Sequence, residues 1–190
     1  MAKKKQEELY DDSWLYILLL TTLTILLESL KTYKFQLMGV SISYAIILLP
    51  IVYLLANYIT KKYDYKKTVA AISISAVISV CFMAIVSFAL GKSLILTSLT
   101  GEFCGYVVSQ FVNLTIYNFL LNNTKSPILL ILFNYLFSVI IFILLYTLIN
   151  LGNMNLDSFW TKYFLMVGIS FGMSIPMAFI DKRIKRGRDI

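Results

Sequence analysis

Residues 127–150 read PILLILFNYLFSVIIFILLYTLIN and contain no charged side chain. A helix needs roughly 20 apolar residues to cross the hydrocarbon core of a bilayer, about 30 Å thick at 1.5 Å per residue. This stretch is long enough, and it has company. Apolar runs of similar character cover roughly 14–30, 37–60, 68–91, 94–121 and 159–181. In a chain of 190 residues, 59% of them hydrophobic, six such runs leave little for a soluble domain. The fold expected is therefore an all-α integral membrane protein, with residues 1–190 forming one domain of six transmembrane helices.

The runs are separated by chemistry that a hydrocarbon core rejects: KTYK at 31–34, KKYDYKK at 61–67, GK at 91–92, NNTKSP at 122–127 and NLGNMNLD at 150–157. Connections this short make successive helices antiparallel neighbours. They also sort the cations. Lys3, Lys4, Lys5, Lys61, Lys62, Lys66, Lys67, Lys125, Lys182, Arg183, Lys185, Arg186 and Arg188 fall on one side, and only Lys31, Lys34, Lys92 and Lys162 on the other. By the positive-inside rule both termini are cytoplasmic. The acidic EELYDD after the basic start, with no small-residue cleavage site, reads as the approach to a retained helix. The expected location is the plasma membrane, multi-pass, of bacterial type.

Several function classes lose support at once. The chain has no His, and Cys81 and Cys104 stand apart in apolar stretches, so the metal, haem, disulfide and His-based acid–base patterns are missing. No nucleophile elbow is present either, and the reading is of a non-enzyme without a metal or cofactor. The net charge of +7 gathers at helix ends and follows topology, so no nucleic-acid partner is expected.

What needs explaining is the polar content of the spans. In GEFCGYVVSQFVNLTIYNFLL, residues 101–121, Glu102, Tyr106, Ser109, Asn113 and Tyr117 recur every three or four positions, with Gln110 beside them. A charge near the bilayer centre costs about 2.5–3.5 kcal/mol even on permissive scales, so this stripe must face other helices or a wet cavity. In the second run, LPIVYLLANYITKKYDYKK at 49–67, Pro50 frees a backbone carbonyl, and Tyr53, Asn57 and Lys61 form one column at i, i+4 and i+8. The fifth run adds Asn134 and Ser138 on one face.

Two readings of this set stay open. As packing, the amides make interhelical hydrogen bonds of roughly 0.6 kcal/mol each. As a site, Asn57, Glu102, Tyr106, Gln110, Asn113 and Asn134 line a midplane cavity, where amides pair with a solute's donor and acceptor edge and a tyrosine stacks on its ring. A site requires Asn57, Gln110 and Asn113 to border one cavity; packing requires Gln110 and Asn113 to be closed off in direct helix-to-helix bonds. Glu28, near the end of the first span, reads as interfacial, and Gly168 and Gly172 in VGISFGMSIP read as internal helix packing. Ser73, Ser75 and Ser79 read as packing too.

The stretches at 49–67 and 101–121 resemble the second and fourth helices of the vitamin uptake transporter family, which includes queuosine-precursor transporters. The likeness covers roughly residues 37–121 and continues more weakly to Pro176. It implies a six-helix permease importing a flat, nucleobase-like solute, such as a 7-deazaguanine precursor of queuosine. Family acids are replaced here by Asn57 and Asn113, a family Glu by Lys61, and those of the last two helices by uncharged residues around Phe137, Ser138 and Phe171. A carboxylate relay of the family type is not expected. Alternatives are a substrate-binding subunit of an energy-coupling-factor complex, which needs an ATPase-containing partner because the chain has no phosphate loop, and a non-transporting assembly protein. The expected partners are the lipid bilayer and a small-molecule substrate, with a second copy of the chain left open.

Overall fold

The computed structural model describes residues 13–31, 33–89, 96–122, 128–149 and 156–183; within them, the side chains of 13, 96–102, 122, 149 and 156–159 are not described. Among the described residues six helices follow one another: α1 (Ser13–Leu30), α2 (Ala45–Lys62), α3 (Tyr65–Ala89), α4 (Leu96–Asn122), α5 (Ile128–Ile149) and α6 (Leu156–Arg183). Five contain segments long and apolar enough to cross a membrane, namely Ala45–Lys62, Tyr65–Ala89, Phe103–Leu121, Ile128–Leu148 and Trp160–Arg183. The apolar part of α1 is shorter, at Trp14–Leu30.

One boundary is corrected. The second span does not begin at residue 37, because Lys34–Leu37 (β1) and Val40–Ser43 (β2) pair as an antiparallel hairpin in the register Lys34↔Ser43 to Leu37↔Val40. Its two-residue turn places Met38 at φ 51° and Gly39 at φ 76°, the doubly positive geometry that matches strand twist. Val40 and Ile42 point inward while Ser41 and Ser43 are half-buried, a period of two that no helix produces. Apolar content alone does not distinguish this alternation from the start of a span. The hairpin then starts α2, since the Ser43 hydroxyl donates to the Leu30 carbonyl at 3.1 Å and accepts from the Ala45 N–H at 3.1 Å.

α2 is the central helix. It packs against α1, α3, α4, α5 and α6, and 56% of its apolar window is buried, against 22–44% for the other four membrane-length helices. α4 lies extensively along α5, α5 along α6 and α1 along α3. Close approach of α4 to α5 occurs at Gly105, where an added Cβ would stand 3.5 Å from the Leu145 Cβ and the Phe142 carbonyl oxygen. Gly168 and Gly172 play no such part: an added Cβ meets nothing within 4 Å at either, so this face of α6 is open rather than packed inside the bundle. The sequence expectation for that pair is corrected, because spacing shows that two glycines share a face but not what the face meets.

The outer surface is not that of a water-soluble domain, and the mostly apolar interior also holds polar groups. Phe88, Ile85, Phe119, Trp160 and Phe164 are exposed, while Asn57, Gln110, Asn113, Asn134 and Asp181 are buried. An outer surface of this kind suits lipid, and the molecule is compatible with a multi-pass membrane protein.

Candidate functional site

The polar stripe of α4 faces inward: Tyr106, Ser109, Gln110, Asn113 and Tyr117 are all buried. Their fates differ. Ser109 donates back to the Tyr106 carbonyl at 2.8 Å, which satisfies it within its own helix. The Tyr106 hydroxyl meets Thr24 Oγ1 of α1 at 2.9 Å, while Thr24 also donates to the Leu20 carbonyl. On α3, Ser75 and Ser79 likewise bond to the Ile72 and Ser75 carbonyls, in keeping with a packing role.

Three asparagines form a chain across α2, α4 and α5. Asn113 Nδ2 donates to Asn57 Oδ1 at 2.8 Å, and Asn134 Nδ2 donates to Asn113 Oδ1 at 2.8 Å. Each carboxamide orients the next, because an amide offers its nitrogen only as donor and its oxygen only as acceptor. Asn113 is thereby closed off in direct interhelical bonds, as the packing reading requires.

Gln110 is not. It is fully buried and within reach of the Tyr106 hydroxyl, but in a geometry too poor for a full hydrogen bond, so neither its Nε2 nor its Oε1 has a well-made partner. The Asn134 Oδ1 at the end of the asparagine chain and the Ser170 hydroxyl of α6 are buried and unsatisfied as well. An unmade bond to a buried polar group costs about 1–3 kcal/mol, so each of these calls for an account. Three pockets bordered by described residues lie elsewhere. One is lined by Thr24, Glu28, Ser79 and Phe103, a second by Lys31, Ser43 and Phe142, and a third by Ile17, Ile59 and Lys67. None of these three is lined by Asn57, Gln110 or Asn113, so the single cavity expected between those residues is not found in them. The Glu102 side chain lies outside the described residues.

At the other end of the column, Asn57 and Lys61 converge on Asp181 of α6. Asn57 Nδ2 donates to Asp181 Oδ2 at 3.3 Å, and Lys61 Nζ donates to Oδ1 at 2.7 Å and to the Asp181 carbonyl. The Tyr117 hydroxyl donates to Oδ1 at 2.5 Å and that of Tyr135 to Oδ2 at 3.4 Å. Asp181 is fully buried, and the Lys61 side chain is 9% exposed. One carboxylate thus gathers α2, α4, α5 and α6. Asp181 carries no warning in the sequence, because DKRIKR reads as the solvated end of a last span. The signal that could have found it is Lys61: a cation at the foot of the Tyr53–Asn57–Lys61 column needs an anion from another helix. Tyr53, at the top of the column, donates to the Ser138 carbonyl at 3.3 Å. Glu28, expected to be solvated, is instead largely covered and paired with Lys31 at 2.6 Å.

Comparison of the chain with protein-family models, curated proteins and solved structures finds no match.

Proposed function

We propose that the chain is a six-span integral membrane transporter, with both termini cytoplasmic, that moves a small polar solute through the bundle between α2, α4 and α5. The observation that carries this reading is Gln110, a buried carboxamide whose Nε2 and Oε1 make no well-formed hydrogen bond although the Tyr106 hydroxyl is within reach. A residue serving only to hold helices together would be bonded to one of them, as Asn113 is. A carboxamide so weakly engaged is suited to a solute whose edge presents an acceptor beside a donor, which is the pattern of a nucleobase lactam. The Asn134 Oδ1 and the neighbouring Tyr106 ring add an acceptor and an aromatic face. The resemblance of residues 49–67 and 101–121 to queuosine-precursor transporters makes a 7-deazaguanine base the first solute to try.

A second reading, a non-transporting assembly protein, is favoured by the closed chain Asn57–Asn113–Asn134, which binds three helices without leaving room for a ligand among those amides. Radiolabelled uptake in cells lacking their own route separates the two, with 7-deazaguanine precursors compared against purines and vitamins. The transport reading expects saturable uptake of one class that Gln110→Leu removes at equal expression. Uptake no greater than in cells carrying an empty vector, for every class, refutes it.

A further inference from the structure

We infer that the contact between Lys61 and Asp181 is the gate at the basic end of the bundle, closed in the conformation described here and opened when the end of α6 swings away from α2. The inference rests on the transport reading. In such a protein this junction stands on the basic side of Gln110, about two turns further along α4 at Tyr117.

A buried ion pair is a poor device for stability alone. The desolvation of two charges offsets most of their attraction, and well-packed apolar residues of the same volume often serve as well or better. It is a good device for two states, because apart each charge can be rehydrated if water is within reach. Both partners meet that condition. Lys61 is the second-last residue of α2 and Asp181 lies in the last turn of α6, so separation returns both charges to the aqueous boundary. Together, the carboxylate is held by donors from α2, α4 and α5, so the closed state is a single cooperative cluster.

The same two helices carry the means to move. Pro50 lies inside α2 and Pro176 inside α6, five residues before Asp181. Each removes one backbone hydrogen bond and permits a bend. Motion of the segment after Pro176 changes the distance from Asp181 to Lys61 while leaving the asparagine chain on α2, α4 and α5 intact. This is a hinge with a latch at its free end.

The test measures a distance in the full chain in lipid nanodiscs, with Cys81→Ser and Cys104→Ser and spin labels on Lys66→Cys and Arg183→Cys. Both label sites are exposed, one in the first turn of α3 and one at the end of α6. The gate expects two distance populations in the otherwise native chain. Lys61→Gln should shift the majority to the longer distance, and the exchanged pair Lys61→Asp with Asp181→Lys should restore the original ratio. The apolar pair Lys61→Met with Asp181→Leu should lose the longer population and, with it, uptake. A single distance common to the native chain and to every variant that gives a monodisperse peak overturns the gate, and so does native uptake by the apolar pair. If Lys61→Gln does not fold, the exchanged and apolar pairs, which keep a contact in place, carry the test. The distances are read without solute. Two populations in a chain that takes up nothing therefore refute transport alone, whereas one distance in a chain that does take up solute refutes the gate alone.

Discussion

Replacing Gln110 by Leu should make the protein more stable and less active. The side chain is fully buried, and neither amide atom makes a well-formed hydrogen bond, the Tyr106 hydroxyl within its reach being engaged by Thr24. Each unsatisfied buried group costs about 1–3 kcal/mol, and Leu keeps most of the volume while removing both, so a net gain of about 2 kcal/mol is a cautious sum. For a chain of this size each kcal/mol moves the midpoint by roughly 2–4 °C, giving a rise of about 4–8 °C. The internal control is Asn113→Leu. It deletes two 2.8 Å bonds and strands Asn57 Oδ1 and Asn134 Nδ2, which should cost about 2–4 kcal/mol and lower the midpoint by about 4–16 °C. Thermal challenge of detergent-solubilised protein, followed by the height of the monodisperse peak in size-exclusion chromatography, reads both. The opposite signs are the essential result. If Gln110→Leu melts at or below the wild-type midpoint, Gln110 has a stabilising partner and the reasoning from its weakly engaged carboxamide fails.

Three further outcomes follow from other parts of the molecule. A reporter fused after Ile190 should be cytoplasmic, and a cysteine at Asn153 should react with an impermeant thiol reagent from outside; export of the reporter would overturn the six-span topology. Gly172→Ala should stabilise by about 0.5–1 kcal/mol because its new methyl meets open space, whereas Gly105→Leu should cost about 1–3 kcal/mol where α4 touches the α5 backbone, both read by thermal midpoint. In the hairpin, Met38→Asn should gain about 0.5–1 kcal/mol, because asparagine tolerates the left-handed backbone that Met38 adopts; a lower midpoint would mean that the turn differs.

The helices were legible in the sequence because length and apolarity are read one residue at a time, and the column Tyr53–Asn57–Lys61 because i, i+4 spacing fixes a shared face. The inward aspect of Tyr106, Gln110 and Asn113 followed from the cost of polar groups in hydrocarbon. What spacing cannot give is the partner. Asp181 belongs to a helix whose C-terminal charges look solvated, and only the crossing of α6 with α2 brings it to Lys61. The hairpin was hidden for another reason: LMGVSIS is apolar enough to extend a span, and the period of two in Val40 and Ile42 is outweighed by the helix that follows. Gly168 and Gly172 show the same gap between a pattern and its neighbour.

The sequence separation of Lys61 and Asp181 has a meaning for biosynthesis. The two are 120 residues apart, and Asp181 belongs to α6, which is made after the other five helices described. At about 5–20 residues per second, the ribosome takes roughly 6–24 s to supply the anion after the cation has emerged. Through that interval α2, the most buried of the membrane-length helices, lacks the carboxylate that Asn57 Nδ2 and Lys61 meet in the finished bundle. Arrival of α6 is therefore the step that completes the cluster: a chain cut short before Asp181 has Lys61 on α2 without this carboxylate, and should be degraded faster than the full chain.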